Sequence, residues 1–68
     1  MNMTDSVAYQ ISDIVLPMKE SFTALGIVAK LKPRGFFTDP TTVRHHLDAM
    51  VNSGLLVRRS DKYEVATS

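Results

Sequence analysis

The 68-residue chain has no cysteine and no tryptophan, and only three glycines, three prolines, two tyrosines and three phenylalanines. Without cysteine there is no disulfide framework and no thiolate metal site. No apolar run approaches the roughly 20 residues of a transmembrane helix, and the amino end has neither the basic start nor the continuous apolar core of a signal peptide. A cytoplasmic protein is therefore expected. Paired carboxylates, a glycine-rich phosphate loop and a nucleophile–base–oxyanion pattern are all missing, which argues against an enzyme and against a bound cofactor. There is no internal repeat and no low-complexity tract. The length predicts one domain over residues 1–68, near the lower limit for independent folding, where only about 60% of the unfolded surface is buried and a partner subunit would help. No separate sensor domain is expected at this length.

Charge of one sign is also scarce, since the formal net charge is only +1. Its distribution is uneven. Residues 1–29 set Lys19 against Asp5, Asp13 and Glu20, a net of −2, whereas residues 30–68 set seven cations against Asp39, Asp48, Asp61 and Glu64, a net of +3. A basic half beside an acidic one suits a nucleic-acid face opposite a face that meets protein.

The informative stretch lies in the basic half. Pro40 fits the first position of a helix and Asp39 or Thr38 can cap its free amides. Val43, Leu47, Met50 and Val51 then follow helical spacing and form one apolar stripe. Thr41, His45, Asp48 and Asn52 lie on the other side, with Thr42 and Arg44 on the flanks, as hydrogen-bonding groups of the kind that read base edges or hold phosphates. Gly54 is placed to end the helix in the left-handed conformation, with Leu55 packing back on the last turn. His45 and His46 are adjacent and point about 100° apart on a helix, so they do not share a metal. His46 is expected to be half-buried and His45 exposed. Arg44 either touches DNA or pairs with Asp48 at i+4.

Leu55–Arg59 and Lys62–Thr67 read as a hairpin, with Tyr63 and Val65 alternating with polar neighbours. Ser60-Asp61 lacks the glycine of a primed two-residue turn, so a looser three- or four-residue loop and a small wing are expected. Arg58, Arg59 and Lys62 cluster near the tip, to hold phosphates or to guard a strand edge.

Upstream, Val7, Ile11, Ile14, Val15 and Met18 define a first helix near residues 5–16, capped by Thr4 or Asp5 and closed by Pro17. Ser21-Phe22 forms a brief extended link. Thr23 can cap a second helix over 23–32, carrying Leu25, Ile27, Val28 and Leu31 despite Gly26. Lys32-Pro33-Arg34-Gly35 breaks the chain, Phe36 and Phe37 are expected to fill the core beneath the long turn, with an exposed aromatic contact as the alternative, and the third helix spans 40–53. The four methionines are ordinary gap fillers.

The run from Thr42-Val43 through His46-Leu47 and Met50 to Gly54-Leu55, followed by a basic pair and Tyr-Glu-Val-Ala-Thr, resembles the recognition helix and wing of bacterial and archaeal winged helix-turn-helix regulators. Thr23 with Ile27, Val28 and Leu31 is similar to helix 2 of that superfamily, so the resemblance covers roughly the last two-thirds of the chain. It departs in one place. Between Leu31 and Val43 this sequence carries Lys-Pro-Arg-Gly-Phe-Phe-Thr-Asp-Pro, several residues more than the usual compact turn, which leaves room for an unusual angle of the third helix. The resemblance implies an α+β fold of three helices and a two-stranded wing, and a small stand-alone transcription regulator of prokaryotic, archaeal or phage type. Its partner would be double-stranded DNA, with helix 3 in the major groove and the wing on the backbone. Thr41, Thr42, Arg44, His45 and Asn52 are then the candidate base readers, and Arg58, Arg59 and Lys62 the candidate phosphate contacts. A homodimer through helix 1 would match paired half-sites about 34–36 Å apart. The alternative is a winged-helix module that binds another protein through the same face, because a fold does not dictate its function.

Overall fold

The computed structural model describes residues 6–66 and contains α1 (Val7–Val15), α2 (Ala24–Leu31), α3 (Pro40–Asn52), β1 (Leu56–Arg59) and β2 (Lys62–Val65). Three helices followed by an antiparallel two-stranded hairpin make an α+β layout consistent with a winged helix. No helix among the described residues is long and apolar enough to cross a membrane.

Each helix begins where a short polar side chain can accept from an unpaired amide. Ser6 caps α1, its Oγ accepting from the Tyr9 N–H at 3.3 Å. The cap is thus Ser6 and not Thr4 or Asp5, which lie outside the described residues. Thr23 Oγ1 accepts from the Gly26 N–H at 3.0 Å to open α2, and Asp39 Oδ1 accepts from the Thr42 N–H at 2.7 Å to open α3 with Pro40 as its first residue.

The helix ends are equally local. α3 closes on Gly54 at φ 83°, with the Gly54 N–H donating to the Val51 carbonyl and the Leu55 N–H to the Met50 carbonyl, both at 3.0 Å. This is the double bond pattern of a Schellman motif, which needs a residue at ease with positive φ. The same device closes the unusual turn. α2 runs on through one turn of 3-10 helix at Lys32–Arg34, and at Gly35 (φ 85°) the Phe36 N–H reaches back to the Leu31 carbonyl and the Gly35 N–H to that of Lys32. Arg34 then donates to Gln10 Oε1 and to Asp13 Oδ2, each at 2.8 Å, and fastens the turn to α1.

Two expectations fail here for simple reasons. Phe36 packs partly against the core, but Phe37 is 79% exposed, because consecutive side chains of a non-helical segment point to different sides. Leu55 returns only its N–H to the last turn of α3 while its side chain is exposed, and Leu56 enters the core instead.

The core lies where the three helices meet the inner face of the hairpin. Ile11 and Val15 of α1, Ile27 and Leu31 of α2, Val43 and Leu47 of α3, and Tyr63 of β2 are its fully buried members. The apolar stripe of α1 is therefore engaged within the chain itself. Any pairing of two copies through α1 is left with its outward residues, of which Tyr9 and Leu16 at the carboxy end are the large exposed apolar ones.

The hairpin pairs Leu56 with Val65, Val57 with Glu64, Arg58 with Tyr63 and Arg59 with Lys62. This register leaves only Ser60-Asp61 in the loop, so the turn is a tight two-residue one and not the looser loop expected from the missing glycine. Ser60 takes φ 61° while no other non-glycine residue described has positive φ, the sign pattern of a type II′ turn. A serine held there costs roughly 1–2 kcal/mol, and glycine recovers part of that against its own greater freedom when unfolded, roughly 0.5–1 kcal/mol. Ser60→Gly should therefore raise the urea midpoint, by up to about 1 kcal/mol of stability at unchanged denaturant slope. A lowered midpoint would show that the serine side chain supports the turn. On its far side β2 meets Phe22, with reciprocal N–H to carbonyl bonds of 2.8 Å between Phe22 and Tyr63. The brief extended link expected at Ser21-Phe22 thus makes β2 the inner strand and leaves β1 as a four-residue edge.

Candidate nucleic-acid interface

Alternation along the strands divides the wing. Side chains opposite one another share a face and successive ones alternate, so Leu56, Arg58, Tyr63 and Val65 face α3 and the core while Val57, Arg59, Lys62 and Glu64 face outward. The three cations at the tip are consequently not one cluster. Arg59 Nε is 3.0 Å from Glu64 Oε1 but its side chain is 76% exposed, and a pair so open to solvent is worth little and easily exchanged. Lys62 is exposed and has no carboxylate partner among the described residues.

Arg58 is held differently. Its Nε donates to the Ser60 carbonyl at 3.0 Å, its Nη1 reaches Asp48 Oδ1 at 3.3 Å, and the guanidinium lies 5.6 Å from the centre of the Tyr63 ring. Asp48 in turn accepts from the Tyr63 hydroxyl at 2.8 Å. Burial pushes the Tyr63 hydroxyl above its ordinary pKa, and the hydrogen bond to Asp48 adds to this, so the phenol remains a donor at neutral pH. One carboxylate of α3 therefore binds a strand residue of β1 and one of β2. It ties both strands of the wing to the helix.

The outward face of α3 keeps the candidate readers together. Thr41, His45, Asp48 and Asn52 follow one line along some 16 Å of helix at 1.5 Å per residue, and Thr41, Arg44, His45 and Asn52 are exposed. His46 is half-buried, as its place at the edge of the stripe predicts. Thr42 is exposed but tied to the helix start, since its N–H and hydroxyl both stabilise the Asp39 carboxylate and hold its pKa below the ordinary value. Arg44 is not paired with Asp48, whose carboxylate is taken by Tyr63 and Arg58. Its guanidinium is left without an ion-pair partner among the described residues, on the same side of α3 as the wing.

In the sequence Asp48 reads as an outward-facing residue with no role beyond a possible pair with Arg44, and Tyr63 reads only as a strand former. One signal was available. A tyrosine on the buried side of a strand needs an acceptor for its hydroxyl, and Asp48 is the carboxylate on the helix packed against that strand. Of the other cations in the basic half, Arg34 is paired with Asp13 of α1.

Comparison of the chain with protein-family models, with curated proteins and with solved structures finds no match.

Proposed function

We propose that the protein is a sequence-specific DNA-binding regulator that lays α3 in the major groove and sets the wing on the phosphate backbone. The observation that carries this reading is the joint presentation of an exposed polar helix face bearing Thr41, Arg44, His45 and Asn52 beside a wing whose Arg59 and Lys62 are open to solvent. A helix of this width fits the groove, and the side chains on it include donors suited to guanine and adenine edges. Arg44, free of Asp48, is the strongest base-reading candidate. Arg59 and Lys62 flank the turn on the outer face, where they would meet backbone and carry no sequence information.

The two groups should fail differently. Arg44→Ala should relax preference at particular base pairs by about 1–3 kcal/mol each, read by selecting bound sequences from a random duplex pool. Arg59→Ala or Lys62→Ala should weaken all duplexes alike and lower the slope of log affinity against log salt by about 0.9 for each lost phosphate contact. Variants that stay folded and leave both preference and salt slope untouched would sink the nucleic-acid reading. The same face would then be examined for a protein partner.

A further inference from the structure

Asp48 stands in the middle of a surface whose proposed partner is a polyanion. A carboxylate there repels phosphate, and its presence calls for a physical account. It is not an isolated charge. Its Oδ1 accepts both from the Tyr63 hydroxyl at 2.8 Å and from Arg58 Nη1 at 3.3 Å, so that Arg58 is occupied by Asp48, the Ser60 carbonyl and the Tyr63 ring together. Three contacts at once, and a side chain 44% exposed against 76% for Arg59, make this arginine less available than Arg59, whose ion pair is with Glu64 alone among the described residues.

We infer that Asp48 is a positioning residue of the DNA face, which withholds Arg58 from the phosphate backbone and so limits sequence-independent affinity for DNA. The inference rests on the DNA-binding reading above. Sequence-independent affinity comes from the number of phosphates neutralised, and each additional free cation raises it for every duplex alike. Withholding Arg58 lowers this common term for matched and unmatched duplexes alike, and leaves the base contacts of α3, which do not pass through Arg58, as they are.

The test uses Asp48→Asn, which keeps an oxygen for the Tyr63 hydroxyl and removes the charge. Duplexes of random sequence are titrated by fluorescence anisotropy between 50 and 200 mM salt, with the fold followed by circular dichroism. Asp48→Asn should bind random duplex more tightly than the original chain and steepen the salt slope by about 0.9, so that the ratio of affinities at 50 and 200 mM salt grows about 3.5-fold. Adding Arg58→Gln to Asp48→Asn should remove that increment, while Arg58→Gln alone should change the slope far less. Asp13→Asn supplies the control for net charge, since Asp13 pairs with Arg34 away from α3, and it should leave binding nearly unchanged. A purely structural role for Asp48 would move affinity the other way, with a loosened wing binding every duplex more weakly at an unchanged or shallower slope. Should the original chain bind DNA and Asp48→Asn alter neither affinity nor slope, the withholding role is wrong and the DNA reading stands. Failure of every variant and of the original chain to bind any duplex overturns both.

Discussion

Leu47→Ala is expected to remove about 2–5 kcal/mol of folding stability, the range for a large-to-small change at a fully buried site. Leu47 is 0% exposed and sits at the centre of the α3 stripe, where the core shared with the other helices surrounds it. The size of the effect matters because a domain of this length has about 3–10 kcal/mol in total, with the lower part of that range usual below about 70 residues. A loss at the upper end of the 2–5 kcal/mol range would leave the substituted chain largely unfolded at room temperature. Urea denaturation followed by circular dichroism reads it, with Leu25→Ala as the internal comparison. Leu25 is 67% exposed on α2, and its loss should fall within about 0.5 kcal/mol. Equal effects at the two positions would mean that the apolar stripe of α3 is not what holds the helices together.

A similar loss is expected at Tyr63, and here two substitutions separate the causes. The side chain is 1% exposed, its ring stacks on Phe22 with centroids 6.3 Å apart, and its backbone pairs with Phe22 on one side and lies opposite Arg58 on the other. Tyr63→Ala should cost about 3–5 kcal/mol, by analogy with other buried aromatics. Tyr63→Phe keeps the ring and loses only the hydroxyl bond to Asp48, which is worth about 1 kcal/mol because the carboxylate remains 38% exposed and can turn to water. Most of the stability should thus reside in the ring. The hydroxyl has a separate consequence, since without it Asp48 is held by Arg58 alone and the wing is less firmly set against α3. If Tyr63→Phe were as damaging as Tyr63→Ala, the bond to Asp48 and not ring packing would be the main support of the wing.

Much of this architecture is legible in short stretches of sequence. Thr23 and Asp39 cap the helices they precede, Pro40 opens α3, Gly54 closes it, and Val43, Leu47 and Met50 face inward at helical spacing. Where reading failed, the deciding influence came from further away. Ser60-Asp61 is a poor pair for a tight turn, yet the register is imposed by Leu56 and Tyr63 seeking the core and by Phe22 holding Tyr63 from the other side. Those contacts outweigh roughly 1–2 kcal/mol of backbone strain at one serine. Phe37 was expected inside because it is large and apolar, but Phe36 already occupies the place beneath the turn.

The candidate site shows the same division. Its exposed helix face follows from the 3.6-residue period and is visible as Thr41, Arg44, His45 and Asn52. The employment of its charges is not. Arg58, Arg59 and Lys62 are neighbours in sequence, and only the pleat of the hairpin sends Arg58 inward and the other two outward.

By itself, then, the sequence determined the helices, their caps and stops, the inward stripes and the presence of a hairpin, because each depends on interactions among residues within about one or two turns of one another. Tertiary structure alone decided that Asp48 binds Tyr63 and Arg58, that Arg34 is tied to Asp13, and that Arg44 has no ion-pair partner among the described residues. Those pairings join groups 10 to 21 residues apart. A charged side chain has several possible partners at such separations, and the partner it takes is the one that the packing of the hydrophobic core brings within reach.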